Sequence, residues 1–183
     1  MSFDRDHVLR AAADLLTRKA TATTEEVARA AGVSRATLNR HFPGRDALVR
    51  ALEEFGLAEC EAALDAARPE EGPADQAVRR LVRAMEPCAG LVSFLYSESQ
   101  LFEGEEQNPG WSRIDERLNA LFRRGQESGA FRLDLSAVWL TEALYGLLTA
   151  GSWAVTEGRV ARNDFTPMVV ELLLGGATRR DAT

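Results

Sequence analysis

The sequence predicts an all-α fold in which a small three-helix bundle at the N-terminal end is followed by a larger helical domain. The first observation is composition: Ala, Leu, Glu and Arg dominate the 183 residues, and β-branched side chains seldom cluster. The second is periodicity, because apolar residues recur at helical spacing in successive runs that are separated by residues typical of helix ends. A chain of this length suits one small and one medium domain, which we expect at residues 1–47 and 48–183.

The first helix is expected from about Asp4 to Lys19. Asp4 is a good N-cap because its carboxylate can accept hydrogen bonds from the backbone N–H groups of the first turn. One stripe of apolar side chains follows at helical spacing and comprises Val8, Leu9, Ala12, Leu15 and Leu16. The small core that this stripe closes is expected to include Val27, Ala31, Leu38 and Phe42.

The segment TTEEVARAAGVSRATLNRHF, residues 23–42, predicts two short helices joined by a tight turn. Thr23 and Glu26 have the spacing of a capping box, in which side chains and backbone donors satisfy one another, so the first helix begins near Thr24. Gly32 then supplies a residue that turns through positive φ without a Cβ penalty. Ser34 is a good N-cap for the second helix.

The second of these helices has an inward and an outward face. Leu38 and Phe42 lie one turn apart and can pack into a core. The outward face carries small, amide and guanidinium side chains, which are Ala36, Thr37, Asn39 and Arg40. Arg can pair with guanine, Asn with adenine, and a small Ala permits close approach, so this face suits a major groove and the motif is typical of a helix-turn-helix. Local geometry alone leaves open a helical hairpin inside an ordinary bundle.

The residues AGVSRATLNRHF followed by PGRDAL resemble the DNA-binding region of the tetracycline-repressor (TetR/AcrR) family of bacterial transcription regulators. The resemblance is close over about the first fifty residues and extends to the general helical layout afterwards. It implies an N-terminal helix-turn-helix domain followed by a larger helical domain for ligand binding and dimerisation. It also implies contacts to bases or nearby phosphates by Thr24, Arg35, Ala36, Thr37 and Asn39. Contacts to the phosphate backbone are implied for Ser34, His41 and Arg45.

The chain departs from the family pattern at two places. Asn39 stands where the family usually has Tyr in the recognition helix, which removes an aromatic phosphate contact and changes the groups available to read bases. The Gly that often ends the first helix of the family is absent between Leu16 and Thr23. The turn between the first two helices therefore has no glycine to form it.

The net charge of −6 is unevenly distributed along the chain. Residues 1–50 carry nine basic and six acidic side chains, a balance of +3, and the remainder carries 13 basic and 22 acidic side chains, a balance of −9. A mildly basic N-terminal segment can bind phosphates while an acidic body limits non-specific attachment to nucleic acid.

The remaining apolar runs predict further helices. Pro43 and Gly44 end the recognition helix, and one long helix follows from Arg45 to about Ala67, so that a tilt imposed at one of its ends would be delivered to the other. Asp164 is the expected cap of the last helix, which ends at Gly175. The further helical or apolar segments are Asp75–Met85, Leu91–Phe102, Trp111–Glu127, Ser136–Thr156 and Asp164–Gly175. Loops are expected at Arg68–Ala74 and at GEEQNPG, residues 104–110.

The helix expected at residues 136–156 is the most apolar of the chain and carries apolar residues on both faces. A membrane span is not expected, because Glu142 lies within it and Gly146 and Gly151 interrupt it. Such a helix must be covered on both sides. Its own domain can cover one face, and a partner subunit is the simplest cover for the other. The resemblance implies that this helix and the last one, about residues 136–156 and 164–174, pair with their copies in a homodimer. A dimer would also read a palindrome, since one short helix reads too few base pairs for useful specificity.

A ligand site is the second expectation for the larger domain. Its aromatic side chains are numerous enough to line a cavity between helices, although aromatics at helical spacing also fill ordinary cores. The candidate ligand-binding residues are Phe94, Trp111, Phe122, Glu142 and Tyr145. Glu142 shares a helix face with Tyr145, where a carboxylate could recognise a cationic or hydroxylated ligand or pair with an Arg across the dimer interface.

Enzymatic chemistry has no sequence motif to support it. The only histidines, His7 and His41, lie in the N-terminal bundle, and no HExxH, GxSxG or Gly-rich phosphate loop accompanies them. Cys60 and Cys88 have no metal-ligand spacing and are expected as reduced core thiols, so neither a metal nor a cofactor is expected. The start MSFDRDHVLR lacks the apolar core of a signal peptide, which favours a cytoplasmic protein.

These patterns together predict a transcriptional regulator, most simply a repressor that binds a palindromic DNA operator as a dimer and is released by an unidentified small molecule. Ligand binding would favour a dimer shape in which the two recognition helices no longer match successive major grooves. The alternative is a helical protein–protein interaction module without specific DNA binding, which Asn39 and the weak basic balance would support. Binding to random duplex DNA with a steep salt dependence separates the two.

Overall fold

The computed structural model describes residues 3–99 and 108–178, and those residues are almost entirely helical. The α-helices are, in chain order, α1 (Arg5–Arg18), α2 (Thr24–Ala30), α3 (Arg35–His41), α4 (Gly44–Ala67), α5 (Ala74–Met85), α6 (Ala89–Ser99), α7 (Pro109–Glu127), α8 (Ala137–Thr156) and α9 (Phe165–Ala177). Short 3-10 turns at Glu86–Cys88 and Arg162–Asp164 precede α6 and α9. Within the described ranges, the β contact is an isolated antiparallel bridge between Phe131 and Thr178. The predicted all-α fold class is confirmed.

The chain divides into two compact units. The first comprises the described residues of Met1–Glu59 and Gly90–Glu105, and the second comprises those of Cys60–Ala89 and Glu106–Thr183. Helix α4 is continuous and contributes residues to both units. The predicted division at residue 47 follows a different criterion, the end of the helix-turn-helix segment, and stays a prediction.

In the first unit, α1, α2 and α3 enclose the core that the sequence predicted. Leu15 of the predicted stripe is only half-buried. Phe42 lies just past the end of α3, where its N–H donates to the Leu38 carbonyl at 2.8 Å, and its ring remains buried. The buried side chains of this core are Val8, Leu9, Ala12, Leu16, Val27, Ala31, Leu38 and Phe42.

Helix α4 begins at Gly44, whose φ of +89° is a left-handed conformation that other residues seldom adopt. Two ion pairs join this helix to α1: Arg5 to Glu54 at 3.4 Å and Arg10 to Glu59 at 3.2 Å. Both pairs are separated by 49 positions along the chain. Because the separation is constant, α1 and this part of α4 run parallel.

In the second unit, α5, α7, α8 and α9 pack around one core. Helix α7 also runs parallel to the second half of α4, since Arg113 pairs with Glu61 at 3.0 Å and Arg117 pairs with Asp65 at 2.7 Å, both at a separation of 52 positions. The core side chains of the four helices are almost completely buried and include Val78, Leu81, Ile114, Leu118, Leu144, Leu148, Val169 and Leu173.

Helix α7 begins earlier than predicted, inside the expected loop. Asn108 caps it, because the Asn108 side chain accepts a hydrogen bond from the N–H of Gly110 at 3.0 Å. Pro109 occupies the first helical position, where its fixed φ is suitable and the missing N–H costs nothing. The loop signal of Pro and Gly therefore marks a helix start here.

The last helix differs from the prediction at both ends. Asp164, the expected cap, makes no side-chain hydrogen bond at the start of α9, because it ends a 3-10 turn and has helical backbone angles. The expected end at Gly175 is wrong, since α9 continues to Ala177. Ala177 is completely buried, and its carbonyl accepts a hydrogen bond from the Arg132 N–H at 2.9 Å. Burial and this bond stabilise the last turn despite the glycines before it.

The predicted apolar segment Leu91–Phe102 is described only in part. Up to Ser99 it belongs to α6. Phe102 and the acidic stretch that follows it lie outside the described residues. In the part of the chain that the structure describes, no helix has the combination of length and apolar character required to cross a membrane.

Candidate nucleic-acid interface

The start of α2 is fixed by the predicted capping box. The Thr23 hydroxyl accepts a hydrogen bond from the Glu26 N–H at 3.2 Å, and the Glu26 carboxylate accepts one from the Thr23 N–H at 2.8 Å. Lys19 adds a third partner, with its Nζ 2.7 Å from Glu26 Oε1. The hydrogen bond from Lys19 and then those from Thr23 lower the pKa of Glu26 to about 2. The entry to the motif is therefore held by local polar contacts.

The turn between α2 and α3 contains Gly32 with a φ of +67°, as predicted. The N–H of Val33 donates to the Ala28 carbonyl at 2.9 Å and closes the end of α2. Ser34 then caps α3, because its hydroxyl accepts from the Thr37 N–H at 3.0 Å and also donates to the Thr37 hydroxyl at 2.9 Å. Both hydrogen bonds of the Ser34 hydroxyl are therefore made to Thr37 of α3.

The outward surface of α3 is accessible. Leu38 is 1% exposed and faces the core. Within the described residues, the side chains of Arg35, Asn39 and Arg40 make no hydrogen bond or ion pair. The predicted DNA-binding residues that are exposed are Ser34, Arg35, Ala36, Asn39, Arg40 and His41, and those that are half-buried are Thr24, Thr37 and Arg45. We call all of these predicted DNA-binding residues except Arg45, exposed and half-buried together, the α2–α3 surface.

Arg45 is engaged inside the protein. Its NH1 donates to the Ala22 carbonyl at 3.2 Å, and its NH2 donates to the Ala20 carbonyl at 2.7 Å. The same NH2 pairs with Glu98 of α6 at 3.2 Å, and Glu98 is only 8% exposed. The guanidinium thus joins the α1–α2 connection to α6 within the first unit, while a phosphate contact by Arg45 stays a prediction. Glu98 was missed because nothing along the chain relates it to Arg45.

An aromatic cluster adjoins the end of α3. The rings of Phe3 and His41 are stacked, with centroids 3.6 Å apart and planes 4° from parallel. Phe3 also meets Phe42 at 6.2 Å between centroids, and the Arg5 guanidinium lies 5.6 Å from the centroid of the Phe42 ring. Sequence reasoning missed Phe3, because it precedes the first periodic apolar run.

The five candidate ligand-binding residues are divided between the two units. Phe94 is a buried residue of the first unit, whereas the other four belong to the second. Phe122 is completely buried and packs against Phe131 at 5.9 Å between ring centroids, so it is a core residue. Glu142 is exposed, and Trp111 is half-buried.

Tyr145 has a carboxylate partner that the sequence did not indicate. Its hydroxyl donates to Asp115 of α7 at 2.8 Å. Burial and then the charge of Asp115 raise the pKa of Tyr145, so the phenol remains a donor. One turn away, the Thr141 hydroxyl lies 2.8 Å from Asn119 Oδ1. The α7–α8 seam therefore contains two adjacent polar pairs.

Helices α8 and α9 expose large apolar side chains, although one face of each packs into the core. The Arg159 guanidinium lies 3.7 Å from the centroid of the Trp153 ring. The face of α8 that points away from the core carries an exposed stripe of bulky and small residues, which are Val138, Trp139, Glu142, Gly146, Ala150 and Trp153. The exposed large hydrophobic residues of α9 are Met168 and Leu172.

Comparison with known proteins finds relatives over nearly the whole chain. The family model described as bacterial regulatory proteins, tetR family, matches residues 8–52. The HTH-type transcriptional regulator NfxB of Pseudomonas aeruginosa is 30% identical over 175 residues, which cover 94% of each chain. The HTH-type transcriptional repressor LfrR of Mycolicibacterium smegmatis is 29% identical over 172 residues, which cover 94% of this chain and 89% of that one.

Solved structures include a similar fold. The TetR-like transcriptional regulator LfrR from Mycobacterium smegmatis in complex with proflavine has a TM-score of 0.75 and 27% sequence identity, and the match covers 96% of this chain and 98% of that chain. These relatives are transcriptional regulators rather than enzymes.

Proposed function

Because the chain belongs to the tetR family of bacterial regulatory proteins, we propose that it is a repressor that binds a palindromic operator as a homodimer and leaves it when a small molecule binds. The observation that carries the DNA-binding part is the α2–α3 surface, where Arg35, Asn39 and Arg40 project without partners among the described residues. Side chains of these types form bidentate contacts with base edges in a major groove. The interaction module without DNA binding is not favoured, since the relatives are regulators.

We assign the family's contacts residue by residue as a proposal. Thr24, Arg35, Ala36, Thr37 and Asn39, together with Arg40, would reach bases or nearby phosphates, and Ser34 and His41 would approach the phosphate backbone. Arg45 would act mainly by ordering the α1–α2 connection, because its donors are directed to the Ala20 and Ala22 carbonyls.

The test begins by sequencing the genomic fragments that the purified protein retains. On the most enriched fragment, Arg40→Ala is expected to weaken binding roughly ten-fold or more, because a guanidinium contact to a base is lost. Arg83→Ala is the matched control, since Arg83 is exposed on α5 and lies outside the α2–α3 surface. Affinities are measured by fluorescence anisotropy over a series of salt concentrations. If no fragment is enriched and native binding does not depend on salt, the DNA-binding proposal fails.

The effector that we propose is a planar aromatic cation. The support is a relative solved with proflavine and, in this chain, the Asp115 carboxylate next to the Tyr145 hydroxyl. Among the described residues Asp115 forms no ion pair, and a half-buried carboxylate without a cation is suited to a positively charged ligand. The exposed Glu142 is assigned instead to the face between copies of the chain.

The effector proposal is tested with proflavine as the probe. Proflavine is expected to lower the affinity of the protein for the enriched fragment. Asp115→Asn should raise the proflavine concentration required for this effect roughly ten-fold, because the carboxylate charge is lost. Glu127→Gln, at the exposed end of the same helix, is the control. If proflavine leaves operator affinity unchanged, or acts equally on Asp115→Asn, the effector class is wrong while the DNA-binding proposal stands.

A further inference from the structure

Phe3 connects the start of the chain to the end of the recognition helix α3. Its ring is stacked on His41, the last residue of α3, with 3.6 Å between ring centroids and an angle of 4° between planes. Its other neighbour is the buried Phe42, at 6.2 Å. Phe3 itself is half-buried and His41 is exposed. An exposed polar ring thus rests on an aromatic ring that is anchored to the core.

We propose that Phe3 is a positioning residue for DNA binding, which orders the His41 imidazole at the rim of the α2–α3 surface and so raises operator affinity without contacting DNA itself. The proposal rests on the proposed function, in which His41 approaches the phosphate backbone. It assigns a role to a residue outside the helix-turn-helix segment.

The stacking geometry decides which part of His41 remains available. A face-to-face contact covers one face of the imidazole and leaves both ring nitrogens at the edge, where a nitrogen that carries a proton can donate to a phosphate oxygen. An exposed histidine without such a contact would lose rotamer freedom on binding, and that loss would oppose association. Stacking imposes the restriction before DNA arrives, which is the general benefit of preorganisation.

The contribution should depend on an aromatic ring rather than on apolar volume. Leu at position 3 can still cover Phe42, but it cannot stack on an imidazole. Tyr retains the ring and should retain the effect. The size of the effect is set by the rotamer freedom that stacking has already removed from His41, which corresponds to roughly three- to ten-fold in affinity.

The test is a double-mutant cycle measured on the fragment that the native protein retains. Phe3→Leu is expected to weaken binding roughly three- to ten-fold, Phe3→Tyr to bind as the native protein does, and Phe3→Leu to have no further effect in a His41→Gln background. Thermal unfolding of each variant controls for stability. The proposal is overturned if Phe3→Leu binds normally, or if it weakens binding equally with His41 and with Gln at position 41.

A second readout separates this proposal from the proposed function. In NMR spectra without DNA, the ring protons of His41 should move when Phe3 is replaced by Leu, because the ring current of the stacked phenyl group is removed. His7 is the internal control, since it makes no ring contact within the described residues. Unchanged His41 signals would show that the stack is absent. A responsive His41 in a protein that retains no DNA would refute the DNA role of both residues.

Discussion

At the scale of single residues, the charge of Glu26 links the stability of the α2 start to pH. Its pKa is held at about 2, below its ordinary value of 4.5, first by the hydrogen bond from Lys19. A depressed pKa means that the folded state favours the ionised carboxylate, so the contribution is fully present above 4.5 and is lost as the pH falls toward 2.

Replacing Glu26 by Gln tests this linkage. Gln can still accept from the Thr23 N–H and preserve the capping box, so the substitution removes chiefly the charge. We expect a lower Tm at neutral pH and a difference from the native protein that decreases as the pH falls from 4.5 toward 2. Thermal unfolding followed by circular dichroism gives both quantities. Glu25→Gln is the control, because Glu25 is exposed and makes a single ion pair with Arg29, and a pH-independent difference for Glu26→Gln would contradict the assignment.

Residues that act through neighbours in sequence were predictable, and residues that act across the fold were not. The caps at Thr23 and Ser34 and the positive φ of Gly32 depend on a few consecutive residues, and all three were confirmed. The pair of Arg45 and Glu98 spans 53 positions, so no local pattern relates the two side chains.

At the scale of elements, ion pairs record how α4 packs but do not determine it. The pairs of Arg5 with Glu54 and of Arg113 with Glu61 have side chains that are 42% exposed or more. Exposed pairs of this kind contribute roughly 0–1 kcal/mol each. The constant separations along α1 and α7 therefore report a register set by apolar packing, which includes the completely buried Leu52 and Leu64 of α4.

Helix positions were predicted better than helix ends. Apolar periodicity identified each core-forming run, because burial of one face is what stabilises a helix in a protein. The start of α7 at Pro109 depends instead on one hydrogen bond that the Asn108 side chain accepts, and the end of α9 at Ala177 depends on one that the Arg132 N–H donates. The same holds for the candidate sites. Periodicity predicted the outward face of α3, whereas the contact between Asp115 and Tyr145 is visible only in the structure.

At the scale of the whole molecule, the exposed stripe of α8 is suited to a second copy of the chain. Trp139 and Trp153 are 59% and 58% exposed, and Leu172 of α9 is 63% exposed. Exposed apolar surface of this extent is typical of an interface. Between the two tryptophans lie Gly146 and Ala150, whose small side chains would allow a second helix to approach closely.

Gly146 allows the interface to be tested without disturbing the protomer. A Cβ built there meets nothing within 4 Å, so Gly146→Met should preserve the fold and improve helix propensity by up to about 1 kcal/mol. We expect the same substitution to dissociate the proposed dimer and weaken operator binding, because the added side chain would fill the space that the partner requires. Sedimentation velocity measures the association, with Gln76→Met on the exposed face of α5 as the control. A Gly146→Met protein that remains dimeric would exclude close packing of a partner helix at this point of α8. A monomer with native helix content would instead explain why an exposed glycine occupies the middle of an apolar helix.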